Sequence, residues 1–165
     1  MLTHAFNYQI RFNKKGEYNM PFGKNRSSFN PTLEKNFVEF AKAISSKNIA
    51  FTSSSFEILN KTKLNSNDFV YIDPPYLISC ASYNEQDGWN EDKEHELLKL
   101  CDKLNEDGVR FALSNVLEHK GLHNEILKDW SSKYNVHYLN YNYNNCNYQD
   151  NNKENKTVEV LITNY

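Results

Sequence analysis

An apolar run, Phe69-Val70-Tyr71-Ile72, stops abruptly at Asp73-Pro74-Pro75-Tyr76. Four residues of β-branched and aromatic character read as a strand, and two adjacent prolines cannot continue a ladder or start a helix interior. A residue that precedes proline is pushed out of the helical region, so Asp73 and Pro74 are both held extended. The chain must leave the strand through a stiff corner. That corner carries a carboxylate, carbonyls not drawn at once into a helix, and an aromatic ring.

The rest of the chain alternates helix and strand patterns. Pro31–Ser46 reads as a helix, with Leu33, Phe37, Phe40, Ala41 and Ile44 near helical spacing and Asn30 as its cap. Ile49–Thr52 reads as a short strand and Ser54–Leu59 as one or two helical turns. Glu91–Leu104 reads as a helix burying Leu97, Leu98, Cys101 and Leu104. Val109–Leu113 follows as a strand, Leu122–Trp130 as a helix, and Tyr134–Tyr141 and Val158–Ile162 as two last strands with no helix between them. This alternation predicts an α/β fold with a mostly parallel sheet, helices on both faces and an antiparallel C-terminal strand. Ligands of such sheets bind at the carboxyl ends of strands. Asp73 lies at one such end, and Ser114-Asn115 at another. Before the sheet, Phe6–Phe22 reads as a hairpin around Asn13-Lys14-Lys15-Gly16. Leu77–Asn90 reads as a mobile loop over the pocket, and the Asn- and Tyr-rich stretch 140–156 as a flexible loop.

The corner suits one kind of chemistry. The Asp73 carboxylate and the Pro74 carbonyl can aim two acceptors at one spot, matching the two N–H donors of an exocyclic amine on a planar ring, such as N6 of adenine. Holding both hydrogens favours a more tetrahedral nitrogen and localises its lone pair for attack on a methyl group. Tyr76 can stack on the base. A base in a duplex must first be flipped out, at a cost that stacking, at roughly 1–3 kcal/mol per base, partly offsets.

Charge and composition narrow the alternatives. The chain has 165 residues with 19 Lys and Arg against 21 Asp and Glu, a net charge of −2, so the whole does not announce a nucleic-acid binder. Its distribution says more: Arg11, Lys14, Lys15, Lys24 and Arg26 face only Glu17 in the hairpin region, a local positive patch that phosphates favour. No signal peptide or membrane-length apolar run is present, and Cys80, Cys101 and Cys146 are widely spaced, so reduced thiols in a cytoplasmic protein are expected. His119 and His123 are four apart, but no Glu follows His119 directly and no Cys/His cluster supports a site, so no metal is expected.

These residues together resemble Dam-like DNA adenine-N6 methyltransferases, the group that includes many methylases of type II restriction-modification systems. Phe6–Asn13 and Gly16–Lys24 resemble the family's target-recognition hairpin, Phe69–Tyr76 its catalytic strand and loop, Phe111–Asn115 the strand whose end helps form the adenine pocket, and Lys156–Tyr165 its closing strand. The resemblance implies a Rossmann-like methyltransferase sheet, S-adenosylmethionine as methyl donor and duplex DNA as partner. It assigns catalysis to Asp73, Pro74, Pro75 and Tyr76, cofactor contact to Asp73, Ser55 and Phe56, and the adenine pocket to Ser114 and Asn115. It assigns DNA contact to Phe6, Asn7, Arg11, Pro21 and Lys24. Residues 1–30 would then be the recognition part and 31–165 the catalytic domain. Three departures stand out: Tyr8-Gln9 replaces the usual Gly-Leu, Lys24 the usual Arg, and Ser55 the usual acid. Lysine does not grip guanine bidentately as arginine does. Complete members also begin with a Gly-x-Gly-type cofactor loop, and no two of Gly16, Gly23, Gly88, Gly108 and Gly121 form one. The expectation is a C-terminal portion of such an enzyme, with a separate N-terminal half as one possible partner. The alternatives are a remnant that binds DNA or a partner without catalysis, and a methyltransferase acting on RNA or a protein amide.

Overall fold

The computed structural model describes residues 13, 15–18, 30–78, 89–139 and 157–165. The chain divides into two compact units, Met1–Ser53 and Ser54–Tyr165.

In the first unit the turn of the expected hairpin is formed. Gly16 takes φ +76°, and the Asn13 side-chain oxygen accepts from the backbone N–H groups of Lys15 and Glu17 at 2.9 and 3.0 Å. An Asn that folds back on its own turn and a glycine free to adopt positive φ are what such a reversal needs. The flanking segments that would make its strands lie outside the described residues. Helix α1 spans Pro31–Ser45. Asn30 caps it by accepting from Leu33 N–H at 2.9 Å, and Pro31 stands in its first turn, where no N–H is needed. The strand expected at Ile49–Thr52 is not formed: no strand pairs with it among the described residues, and Ile49 and Phe51 are exposed.

The second unit holds the sheet. Its elements are a 3-10 helix at Phe56–Lys61, β1 at Phe69–Ile72, α2 at Glu91–Glu106, β2 at Arg110–His119, β3 at Leu122–His123, α3 at Glu125–Ser131, β4 at Asn135–Leu139 and β5 at Thr157–Thr163. The main strand order is β1-β2-β5-β4, with β3 paired to β2. β1 runs parallel to β2, and β5 runs antiparallel to both β2 and β4. Three strands therefore point one way and the C-terminal strand points back, as the missing helix between the last two strands predicts.

Register builds the core. Ile72, Leu113, Ile162 and Val136 form one row across the sheet. Their face, with Phe111 and Val160, packs against Leu97, Leu98, Leu100, Cys101 and Leu104 of α2 and Leu127 of α3. Each large apolar side chain buried this way contributes about 1.5–3 kcal/mol. Both helices of this unit thus lie on one face of the sheet. β1 is correspondingly half-buried: Ile72 is in the core, but Phe69 and Tyr71 are 50% and 60% exposed on the other face.

Two further differences have local causes. β2 runs six residues past Leu113, because β5 pairs along it as far as His119, with an irregularity between Val116 and Glu118. The helix expected from Leu122 begins at Glu125, because Lys120 and Gly121 both take positive φ, 51° and 78°, and fold Leu122–His123 back on β2 as a hairpin. No helix among the described residues is long and apolar enough to cross a membrane.

Candidate active site

Parallel pairing sets Ile72 beside Leu113, so β1 ends with Asp73 alongside Ser114, which lies within β2 rather than at its end. The double proline then turns the chain, and Tyr76 comes back over the gap. Its hydroxyl donates to Asp73 Oδ1 at 3.1 Å and lies 3.3 Å from Ser114 Oγ. A phenol has one proton. With that proton on Asp73, Ser114 must donate to Tyr76, which gives a directed chain from Ser114 through Tyr76 to the carboxylate. Burial pushes the Tyr76 hydroxyl above its ordinary range; the Ser114 hydrogen bond opposes this and the Asp73 charge adds to it. Tyr76 therefore stays a neutral donor at physiological pH. Asp73 is exposed and accepts this one hydrogen bond among the described residues, so its carboxylate keeps acceptor capacity open to solvent.

The expected pocket pair separates. Ser114 is half-buried on the Tyr76 side, but Asn115 is fully buried on the core face. Adjacent strand residues point to opposite faces, and Asn115 turns its amide to Glu94 of α2 at 3.3 Å. Ser114 thus lies beside the Asp73–Tyr76 corner, while Asn115 lies in the core.

Ser55 and Phe56 open the 3-10 helix. Ser55 Oγ accepts from Glu57 N–H at a long 3.5 Å as its cap. Phe56 packs against Trp89 with ring centroids 5.8 Å apart and planes tilted by 58°. Both Ser55 and Phe56 line an open groove of about 720 Å³ between this helix and α2, with Glu57, Lys61, Glu96 and Lys99 among its walls. With the Phe56 ring among its walls, this open groove could receive the adenosine end of a nucleoside cofactor. The missing acid at Ser55 leaves no carboxylate at that position for a ribose.

A second cluster escaped the sequence. Glu94 is fully buried, and its carboxylate accepts from Trp89 Nε1 at 2.6 Å, Asn124 Nδ2 at 3.1 Å and Asn115 Nδ2. A signal existed: Glu94 occupies the same stripe of α2 as Leu97, Leu98, Cys101 and Leu104, and an acid on an apolar stripe needs buried donors. Cys101, also buried, has its thiol pushed up to about 12, by burial first and then by the Asp102 and Glu94 charges, so it is an inert core side chain. His119 sits against Thr157 Oγ1 at 2.9 Å, and among the described residues no group of acids, histidines and cysteines could hold a metal. Phe6, Asn7, Arg11, Pro21, Lys24, Cys80 and Cys146 lie outside the described residues.

A family profile for D12 class N6 adenine-specific DNA methyltransferases matches residues 1–145. Type II methyltransferase M.FokI of Planomicrobium okeanokoites is 50% identical over 100% of this chain and 26% of its own length. Modification methylase StsI of Streptococcus sanguinis is 47% identical over 99% of the chain and 26% of its own length. Modification methylase LlaI of Lactococcus lactis subsp. lactis is 31% identical over 98% and 25%. The chain spans about a quarter of the length of these curated relatives. With its strand-end Asp-Pro-Pro-Tyr corner and a family match over most of its length, the chain belongs to the D12 class of N6 adenine-specific DNA methyltransferases.

Proposed function

We propose that this chain carries the catalytic corner of a site-specific DNA methyltransferase that moves a methyl group from S-adenosylmethionine to N6 of a flipped adenine in duplex DNA. The observation that carries the reading is the corner itself: an exposed carboxylate at the end of β1, oriented by the Tyr76 hydroxyl and backed by Ser114. Family membership and the names of the relatives, type II methylases, support the same chemistry. The strand order, with one reversed strand inserted beside β2, supports a Rossmann-like methyltransferase sheet.

The donor supplies an electrophilic methyl group on a sulfonium. Phe56 would receive its adenosine, with Ser55 at the groove edge and Asp73 reaching the methionine side. Asp73 and the Pro74 carbonyl accept the two N6 hydrogens of the base, while the Tyr76 ring offers a face to stack on. Pro75 keeps the corner from relaxing. The N6 lone pair forms the new N–C bond as the C–S bond breaks with its electron pair remaining on sulfur, and N6 then loses one proton to the Asp73 carboxylate or to water. Phe6, Asn7, Arg11, Pro21 and Lys24 would approach the DNA from the hairpin region, where positive charge is concentrated. We take residues 1–30 as the recognition part and 31–165 as the catalytic part.

The test is to incubate the chain, with and without a supplied N-terminal half that carries the cofactor loop, with methyl-labelled S-adenosylmethionine and duplex DNA, then digest the DNA to nucleosides. Label in N6-methyladenine is expected. Label on cytosine, or transfer to RNA or protein amides in preference to DNA, overturns the reading.

A further inference from the structure

The geometry points to Glu94 as a positioning residue for methyl-donor binding, acting through Trp89. The inference rests on the proposed function, because it concerns the same site.

A carboxylate taken out of water is costly, and replacing buried ionic groups with apolar ones is often neutral or stabilising. Glu94 is fully buried, and the three groups that bond it among the described residues are all uncharged. Its presence is therefore better explained by geometry than by stability. The three donors come from three separate stretches of chain: Trp89 just before α2, Asn115 on β2, and Asn124 at the start of α3. Each asparagine is used at both ends. Asn115 Oδ1 accepts from Val116 N–H at 2.7 Å, and Asn124 Oδ1 caps α3 by accepting from Leu127 N–H at 3.0 Å. The carboxylate thus fixes which way each amide faces. Its shortest bond, 2.6 Å, is to the Trp89 indole, and that indole is the surface Phe56 leans on. A continuous series of contacts follows. It runs from Phe56 to Trp89, to Glu94, to Asn115, and by one peptide link to Ser114, which bonds Tyr76 beside Asp73. One buried acid ties the aromatic proposed for the cofactor to the corner proposed for the base.

Glutamine at this position keeps the shape but turns one acceptor into a donor. With its oxygen on the two asparagines, its NH2 meets the indole N–H, and Trp89 must move. The experiment uses the full chain carrying 5-fluorotryptophan, which gives two fluorine resonances, from Trp89 and Trp130, assigned with Trp89→Phe. In Glu94→Gln the Trp89 resonance should shift while the Trp130 resonance stays. In the transfer assay KM for S-adenosylmethionine should rise about tenfold with kcat within about threefold. Adding Glu94→Gln to Trp89→Phe should then change KM little further, because the two act on one contact. A purely structural role would move both resonances and lower kcat with no selective rise in KM, and it would overturn the inference. So would a Trp89 resonance that does not move. If Glu94→Gln does not fold, Trp89→Phe decides alone: it retains a ring against Phe56 but removes the donor, and an unchanged KM overturns the inference. A wild-type chain that transfers no methyl to adenine even with the N-terminal half supplied overturns the proposed function and this inference with it. A wild-type chain that transfers beside a Glu94→Gln variant with the same KM overturns the inference alone.

Discussion

Asp73 and Asp102 belong to the same unit, and the protein surrounds them differently. Asp102, on the helix covering the sheet, accepts from Tyr134 Oη at 2.7 Å, Lys133 Nζ at 2.8 Å and Trp130 Nε1 at 2.9 Å. Those donors belong to an aromatic cluster in which Trp130, Tyr134 and Phe111 pack on one another, with Lys133 over two of the rings. Asp73 accepts from Tyr76 and, among the described residues, from nothing else. One carboxylate is filled by the fold and fastens α2 to α3 and the segment that follows it. The other is aimed by the fold and left with acceptor capacity facing out. A carboxylate held in place but not saturated is what binding a two-hydrogen amine requires.

The comparison breaks most visibly at Asp73. Asp73→Ala should lower methyl transfer by about a thousandfold or more, with thermal unfolding unchanged, as followed by circular dichroism. A variant that transfers normally would place Asp73 outside the chemistry. Asp102→Ala should do the reverse. It should cost about 2–3 kcal/mol of stability in urea unfolding, with kcat per folded molecule retained. Tyr76→Phe sharpens the contrast from within the site. It keeps the ring but removes the hydrogen bond that aims Asp73, so kcat should fall about tenfold while KM for DNA stays close to wild type. Lys133→Ala should be the mildest, below about 1 kcal/mol, because its ion pair with Asp102 is half-exposed on the lysine side.

Asp102 also gives a pH signature. Partial burial pushes its carboxyl up, but the hydrogen bonds from Lys133, Tyr134 and Trp130 and the Lys133 charge outweigh that, and the carboxyl lies below its ordinary value of 3.8. A carboxyl depressed in the folded state stabilises fully above its unfolded pKa, about 3.9, and loses that contribution as pH falls through the folded value. The stability gap between the protein and Asp102→Asn should therefore be constant from pH 7 to about 5 and shrink below about 4. A gap that widens on acidification would contradict the assignment.

Much of this was legible in residue types and spacing. The double proline after an apolar run located the corner, Asn30-Pro31 located the start of α1, and the absence of a helix between the last strands located the reversed strand. What escaped depended on partners distant in sequence. Asn115 reads as a neighbour of Ser114, yet the alternation of a strand sends it to the core, where a carboxylate twenty-one positions earlier holds it. Leu122 reads as helical because the apolar spacing toward Trp130 continues through it. The positive φ of Lys120, which no side chain there advertises, makes it a strand instead. Ile49–Thr52 has the composition of a strand, but composition cannot supply a neighbour to pair with.

The central claim is that the Asp73 carboxylate holds the amino group of a flipped adenine. The most direct measurement is a crystal structure of the chain with duplex DNA and S-adenosylhomocysteine. An extrahelical adenine is expected, with N6 about 2.7–3.2 Å from both the Asp73 carboxylate and the Pro74 carbonyl. A bound duplex whose flipped base directs N6 elsewhere, with Asp73 facing solvent, would contradict it.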